Sequence, residues 1–277
     1  SVTEIPGQLD CVVIVTPAKT VTALAEECGK KGVKTLVVIS AGFGETGTEE
    51  GHAMEKTLVE TVEKYKMVLV GPNCLGIIRP SIGLNASFAE NVEKPGSVAL
   101  LSQSGAMAVA LLDAAADSGT GFSLVVSMGN KAVHTECDFL ELCAKDPETD
   151  VIGMYLESIT YGKRFLDIAS KITPEKPIVL IKSGVSARGK SAVSSHTGAL
   201  AGSDKAIDAL CAQTGIRRAH NMQEFLDLLR TLSANPPLLS DTIAIITNAG
   251  GPGILAVPVR GHPFPFTLRS ARTPVAR

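Results

Sequence analysis

The sequence predicts an α/β protein built on doubly wound parallel sheets. Three observations predict it. Short runs rich in Val, Ile and Leu alternate with longer Ala/Glu/Lys/Leu segments of helical period along most of the chain, and strands separated by such helices form parallel sheets covered on both faces. Turn formers and small polar residues gather directly after the strand-like runs, as in G-P-N-C-L-G at 71–76 and S-Q-S-G at 102–105. At 277 residues and 45% hydrophobic, the chain is long enough for two compact domains with real cores.

Taken in order, a strand is read at residues 12–15, a helix at 18–31, a strand at 35–40, a helix at 49–64 with Thr48 or Glu49 near its cap, and a strand at 67–70. The polar run 91–95, ending in Pro95, breaks the chain there. Beyond it come a strand at 98–101 and a helix at 106–116 so uniformly apolar that it belongs in an interior. Strands at 122–127, 151–156 and 178–181 follow, interleaved with helices at 136–144, 163–172, 205–214 and 223–233. Asn235-Pro236-Pro237 is a second breaker, and a last strand is read at 243–247. Domain boundaries are therefore expected near residues 95 and 237.

Composition excludes several classes of function. The apolar runs are interrupted well before the ~18 residues of a membrane span, and no charged-then-apolar leader opens the chain, so neither a membrane nor secretion is expected. Six scattered cysteines without paired spacing suit a reducing, cytoplasm-like compartment. His134-x-x-Cys137-x5-Cys143 lacks a fourth ligand nearby and is better explained by helix-start and helix-face positions, so no metal site is expected. A net charge of -2, no Trp and only 4% aromatic residues argue against nucleic acid as a partner.

The most informative segment is 182–204, where His196 lies among Ser194, Ser195, Thr197 and Gly198 in a glycine-punctuated loop beyond a strand. Ligands of open α/β sheets bind at that edge; a reactive imidazole and a plain surface histidine both fit. The same loop matches the phosphate-loop pattern G-x-x-x-x-G-K-S/T at 184–191, including Lys190. The residues after it are poor helix formers, so the helix that such a loop requires is not expected. Gly42-x-Gly44-x-x-Gly47 mimics a dinucleotide fingerprint, but the next strand runs into Gly71-Pro72 where a ribose-binding acid belongs, and a tight turn is the safer assignment. Cys74, in G-P-N-C-L-G, reads as a half-buried thiol in a rigid crossover loop. Ser102, Ser104 and Gly105 open the apolar helix, where capping and anion binding would use the same groups. Glu157 ends the apolar strand 151–156, a costly place for a charge unless something pairs with it; it can orient a histidine or simply face solvent.

Taken together and in order, G-P-N-C-L-G (71–76), L-S-Q-S-G (101–105), M-G-N-K through K-D-P-E-T (128–149), Y-L-E-S-I (155–159) and S-H-T-G-A-L-A-G-S-D (195–204) resemble the nucleoside-diphosphate-forming acyl-CoA synthetases, relatives of the succinyl-CoA synthetase alpha subunit. The similarity runs from about residue 14 to residue 256. The resemblance implies an acetate–CoA-ligase-like, ADP-forming enzyme of the cytoplasm that interconverts acyl-CoA, nucleoside diphosphate and phosphate with acid, CoA and nucleoside triphosphate. It implies that His196 is transiently phosphorylated, that Glu157 supports the phosphohistidine, and that Ser102, Ser104 and Gly105 hold the phosphate. Val15, Thr16, Pro17, Ser40, Ala41, Gly42, Asn73 and Cys74 would belong to the coenzyme A site. ADP/ATP or GDP/GTP, with magnesium, would sit on an ATP-grasp beta-type domain or subunit, within an oligomer. The implied domains are a partial Rossmann-like CoA-binding domain at 1–95, a flavodoxin-like ligase domain at 96–237, the start of a third, flavodoxin-like domain at 238–256, and a disordered tail at 257–277, which carries prolines and arginines without an acid.

Because the chain opens inside the CoA domain, without the family's glycine-containing phosphate loop, weak CoA binding by the chain alone is expected. Two rival readings are a catalytically silent CoA-binding regulatory domain of a protein acetyltransferase, in which the histidine is usually replaced, and a phosphate-loop phosphotransferase using Lys190.

Overall fold

The structure is a computed structural model that describes residues 1–90, 94–184 and 204–235. Three parallel strands, β1 (Cys11–Ile14), β2 (Thr35–Val38) and β3 (Val68–Val70), form a first sheet in the order β1-β2-β3. Its crossovers are α1 (Ala18–Lys31) and α2 (Glu49–Tyr65). Helix α1 ends at Gly32 in the left-handed conformation with Lys30 and Lys31 in its last turn, so a glycine and the helix dipole both favour a stop there. Helix α2 begins where Thr48 Oγ1 accepts the Gly51 amide at 3.0 Å, with Glu49 and Glu50 in its first turn. Val21, Ala25, Leu58 and Val62 bury these helices against Leu36, Val38 and Leu69.

The second sheet has seven strands in the order β10-β9-β8-β6-β7-β4-β5. In chain order they are β4 (Gly76–Arg79), β5 (Leu84–Ser87), β6 (Pro95–Ser102), β7 (Phe122–Ser127), β8 (Val151–Leu156), β9 (Ile178–Lys182) and β10 (Arg217–Ala219). All pair in parallel except the hairpin β4–β5 and its seam with β7, which are antiparallel. The hairpin and β10 are not legible as strands in the sequence: β5 reads L-N-A-S and β10 reads R-R-A, polar compositions tolerated because both lie at sheet edges. Sheet membership changes after β3, so the hairpin belongs to the second sheet although it precedes the polar run at 91–95 where the sequence suggests a break.

Both faces of this sheet are covered. On one face, α4 (Glu136–Lys145), α5 (Gly162–Ile172) and α6 (Asp204–Thr214) contribute Phe139, Phe165 and Ile207. On the other, α3 (Gly105–Ser118) and α7 (Met222–Ala234) contribute Leu111, Ala115, Phe225 and Leu229. Helix α7 packs closely on β8 because Gly153 has no side chain: a methyl there would meet Leu229 and Phe225 carbons at 3.0 Å. Phe165 and Phe225 are fully buried, each stabilising the fold by ~3 kcal/mol at most from area alone.

The two sheets meet at their carboxyl edges. The Asn130 amide donates to Pro72 O at 2.9 Å and the Ala132 amide to Gly71 O at 3.4 Å. Gly129, at φ 55, lies against the backbone of residues 72 and 73. A methyl there would overlap Pro72 O and stand 2.6 Å from Asn73 O. Val37, Val70 and Cys74 continue into one buried cluster with Val126 and Met128. Ser1–Ala234 is accordingly a single compact unit. The strand expected at 243–247, the third domain at 238–256 and the tail at 257–277 lie outside the described residues.

Gly129→Ala must therefore both adopt a left-handed backbone and displace a neighbouring main chain. It should lower the unfolding free energy by about 3 kcal/mol or more, at the upper end of single-substitution effects. Chemical denaturation of the full chain checks this, and an unchanged midpoint would contradict the packing described.

Candidate functional site

Loops leaving β2, β3, β6, β7 and β8 converge on a cleft of about 600 Å³. Ala41, Asn73 and Cys74 line it from the first sheet, and Ser104, Gly105 and Glu157 from the second. Val15, Thr16, Pro17, Ser40 and Gly42 do not line it; they stand at the carboxyl ends of β1 and β2. A larger groove, about 860 Å³, runs along α4 and the start of α5 past His134, Tyr161 and Arg164. Among the described residues, none of those expected at the site faces that groove, and Arg164 is paired with Asp138 at 2.7 Å.

On the first-sheet side, Ser40 Oγ donates to Thr16 O at 2.5 Å and ties two strand-end loops together. Pro17 precedes α1 without a side-chain cap, and Val15 is 69% exposed. The amides of the Gly42 loop are taken by carboxylates: Gly42 N donates to Glu45 Oε1 at 2.5 Å and Gly44 N to Glu55 Oε2 at 3.2 Å. Those amides are thus already occupied, as suits a tight turn. Burial pushes the Glu45 carboxyl up, but hydrogen bonds from Asn130 and from the Gly42 and Phe43 amides outweigh it and hold the group below its usual range. Asn130 Nδ2 donates to Glu45 at 2.6 Å and to Glu55 at 2.7 Å, while its Oδ1 accepts from Asn73 Nδ2 at 3.2 Å. One amide side chain from the second sheet thereby bridges three residues of the first.

Cys74 is more buried than its loop position suggests. The residue is 4% exposed, its Sγ donates to Val38 O at 3.3 Å, and burial pushes the thiol up to about 12. It stays protonated at neutral pH and is no nucleophile. His134 likewise serves the fold, accepting the Leu69 amide on Nδ1 at 3.2 Å, and Cys137 and Cys143 are buried.

On the second-sheet side, Ser104 caps α3 by accepting the Met107 amide at 3.3 Å. The amides of Gly105 and Ala106, both on the cleft, have no partner among the described residues and stand at the positive end of the helix. Ser102 does not face the cleft. It is fully buried, and its Oγ donates to Ser104 O at 2.6 Å, shaping the turn that exposes those amides.

The Glu157 carboxylate lines the cleft with no hydrogen bond or salt bridge among the described residues. Around it lie further polar groups. Gln103, between the two serines, reaches the Glu157 and Ser158 amides at 2.9 and 3.0 Å. Lys131 forms a buried pair with Glu136 at 2.7 Å, and losing either partner would strand the other at a cost of ~3–5 kcal/mol. Lys182 is pushed down to about 8 by burial, with the Glu157 charge opposing the shift. The sequence signal for Gln103 and Lys182 is an amide or charged side chain at the end of an apolar strand. His196 and Lys190 lie outside the described residues.

Residues 95–232 match the succinyl-CoA ligase-like flavodoxin domain family and residues 1–80 a CoA binding domain family. The chain is 46% identical over 256 residues to the alpha subunit of ADP-forming acetate–CoA ligase I of Pyrococcus furiosus, covering 92% of this chain and 55% of that one. It is 43% identical to the ADP-forming 4-hydroxybutyrate–CoA ligase of Nitrosopumilus maritimus, covering 37% of that protein. The structure of dinucleotide-forming acetyl-coenzyme A synthetase 1 of Ca. Korarchaeum cryptofilum, in complex with phosphate and ADP, superposes with a TM-score of 0.86 at 39% identity, over 91% of this chain and 54% of that one. The chain thus spans about half the length of the alpha subunit, and less of the longer ligase. In its domain order, its sequence and its fold, the chain belongs to the nucleoside-diphosphate-forming acyl-CoA synthetases, in their alpha-type part.

Proposed function

We propose that this chain is the acyl-transfer and phosphohistidine part of an ADP-forming or GDP-forming acyl-CoA synthetase. The observation that carries the reading is the cleft itself. It takes Ala41 and Asn73 from the CoA-binding side together with Gly105 and Glu157 from the ligase side, so that a thioester and a phosphate can meet.

In the proposed sequence, an oxygen of inorganic phosphate bound at the Gly105 and Ala106 amides attacks the thioester carbonyl. CoA leaves as its thiolate, and an acyl phosphate forms. Unpaired helix-start amides suit the charge that develops on the transferring group. The His196 imidazole then attacks the phosphorus of the acyl phosphate, the P–O bond to the acyl oxygen breaks and the carboxylate leaves, and a nucleoside diphosphate in turn takes the phosphoryl group from His196. Glu157 accepts a hydrogen bond from the second imidazole nitrogen, leaving the first free as the nucleophile. The nucleotide and its magnesium would sit on an ATP-grasp beta-type domain or subunit of the complete oligomer; the "subunit alpha" of the Pyrococcus furiosus relative supports a partner subunit. Six free thiols suit a cytoplasmic setting. Glu157 in the cleft, with His196 in the sequence, favours this reading over a silent CoA-binding regulatory domain.

In the complete enzyme, His196→Ala should abolish the acid-labile phosphoenzyme and turnover together, as mass spectrometry and a coupled assay would read. Glu157→Gln should slow turnover by about 10². Lys190→Ala should still form phosphoenzyme. Loss of activity in Lys190→Ala with activity kept in His196→Ala would replace this reading by a phosphate-loop phosphotransferase.

Cys74 gives a separate check. Its thiol, held protonated by burial, should resist iodoacetamide in the native chain at pH 8 and become labelled on unfolding, as peptide mass mapping would show. Rapid native labelling at Cys74 would contradict the site geometry.

A further inference from the structure

The β-ladder around β8 ends at Leu156, whose carbonyl accepts the Ser183 amide at 3.0 Å. The next two residues, Glu157 and Ser158, carry four backbone polar groups that no neighbouring strand satisfies. Side chains take all four. Gln103 Oε1 accepts both amides, at 2.9 and 3.0 Å. Lys182 Nζ donates to Glu157 O at 2.6 Å, and Lys131 Nζ donates to Ser158 O at 2.9 Å. The Ser158 hydroxyl is held too, by Gln103 Nε2 and Lys131 Nζ, both at 3.2 Å. Glu136 extends the grip, pairing with Lys131 through one oxygen and accepting the Thr160 amide at 2.6 Å through the other.

The cost of this arrangement points to its purpose. Lys131 and Lys182 are 7% and 6% exposed, and Lys182 spends its ammonium on two carbonyls, those of Glu157 and Ser183. Burying a cation against carbonyls alone is a poor way to stabilise a fold. It is an effective way to fix a short backbone segment rigidly. The one polar group of the pair left without a hydrogen bond among the described residues is the Glu157 carboxylate, on the cleft.

We infer that Gln103, Lys131 and Lys182 are positioning residues: by holding the four backbone groups of Glu157 and Ser158 they set where the Glu157 carboxylate stands. The inference rests on the reading of Glu157 as the group that orients the phosphoryl-accepting imidazole. Gln103 comes from the loop that also exposes the Gly105 amide, so the clamp ties the carboxylate to the anion-binding helix start as well.

Lys131 is unsuited to a test because its loss strands Glu136, so the variants are Gln103→Met and Lys182→Met. Each would be made in the complete synthetase, alone and in the Glu157→Gln background. Each single variant should lower kcat by about 10- to 100-fold, the range for a functional group shifted by about 1 Å, with KM for acyl-CoA and the unfolding midpoint near wild type. In the Glu157→Gln background the same substitutions should cost almost nothing more, because residues acting through one group are not additive. Equal fold-losses in both backgrounds, or a rise in KM at constant kcat, would overturn the positioning role while leaving Glu157 in place. Unchanged turnover in Glu157→Gln itself would instead remove the role of Glu157, and the clamp's purpose with it.

Discussion

The close backbone approach between residues 71–73 and 129–132 is the constraint on which the rest depends. Each sheet alone would present an ordinary carboxyl edge. The Asn130 and Ala132 amides, donating to Pro72 O and Gly71 O, set the edges side by side, and the missing side chain at Gly129 lets the main chains touch. The same junction delivers Asn130 to Asn73, Glu45 and Glu55, and places Lys131 where it reaches Ser158. A left-handed glycine thus organises both walls of the cleft.

Polar groups at the strand ends follow one logic. Backbone groups that leave a ladder need partners, and here carboxylates, amides and lysines supply them from neighbouring loops. Glu45 and Glu55 fill the Gly42 loop, Ser102 shapes the turn before α3, and Gln103 and Lys182 hold the Glu157 segment. On the cleft, the Gly105 and Ala106 amides and the Glu157 carboxylate have no hydrogen-bond partner among the described residues.

Much of the fold was legible because its signals are local. Residues 18–31, 122–127 and 151–156 were read with the bounds the structure gives, since a left-handed glycine stop or a mostly apolar run fixes each. The hairpin β4–β5 and strand β10 were not, because short polar edge strands owe their state to partners elsewhere. In the site, Ser104 and Glu157 were visible as a cap and as a charge ending a buried strand. The burial of Cys74 and the grip of Gln103 were not, since the partners of Gln103 lie 54 and 55 positions away and nothing in S-Q-S-G names them. Ser102, expected beside the phosphate, faces inward for the same tertiary reason.

Hydrogen–deuterium exchange on the full-length protein, with and without CoA and inorganic phosphate added together, reads both walls of the cleft at once. If the junction at Gly129 joins the two sheets into one site, protection should rise at 41–45 and 73–75 and also at 103–106 and 157–158. Protection confined to one wall, with the other exchanging as in the free protein, would contradict a shared site.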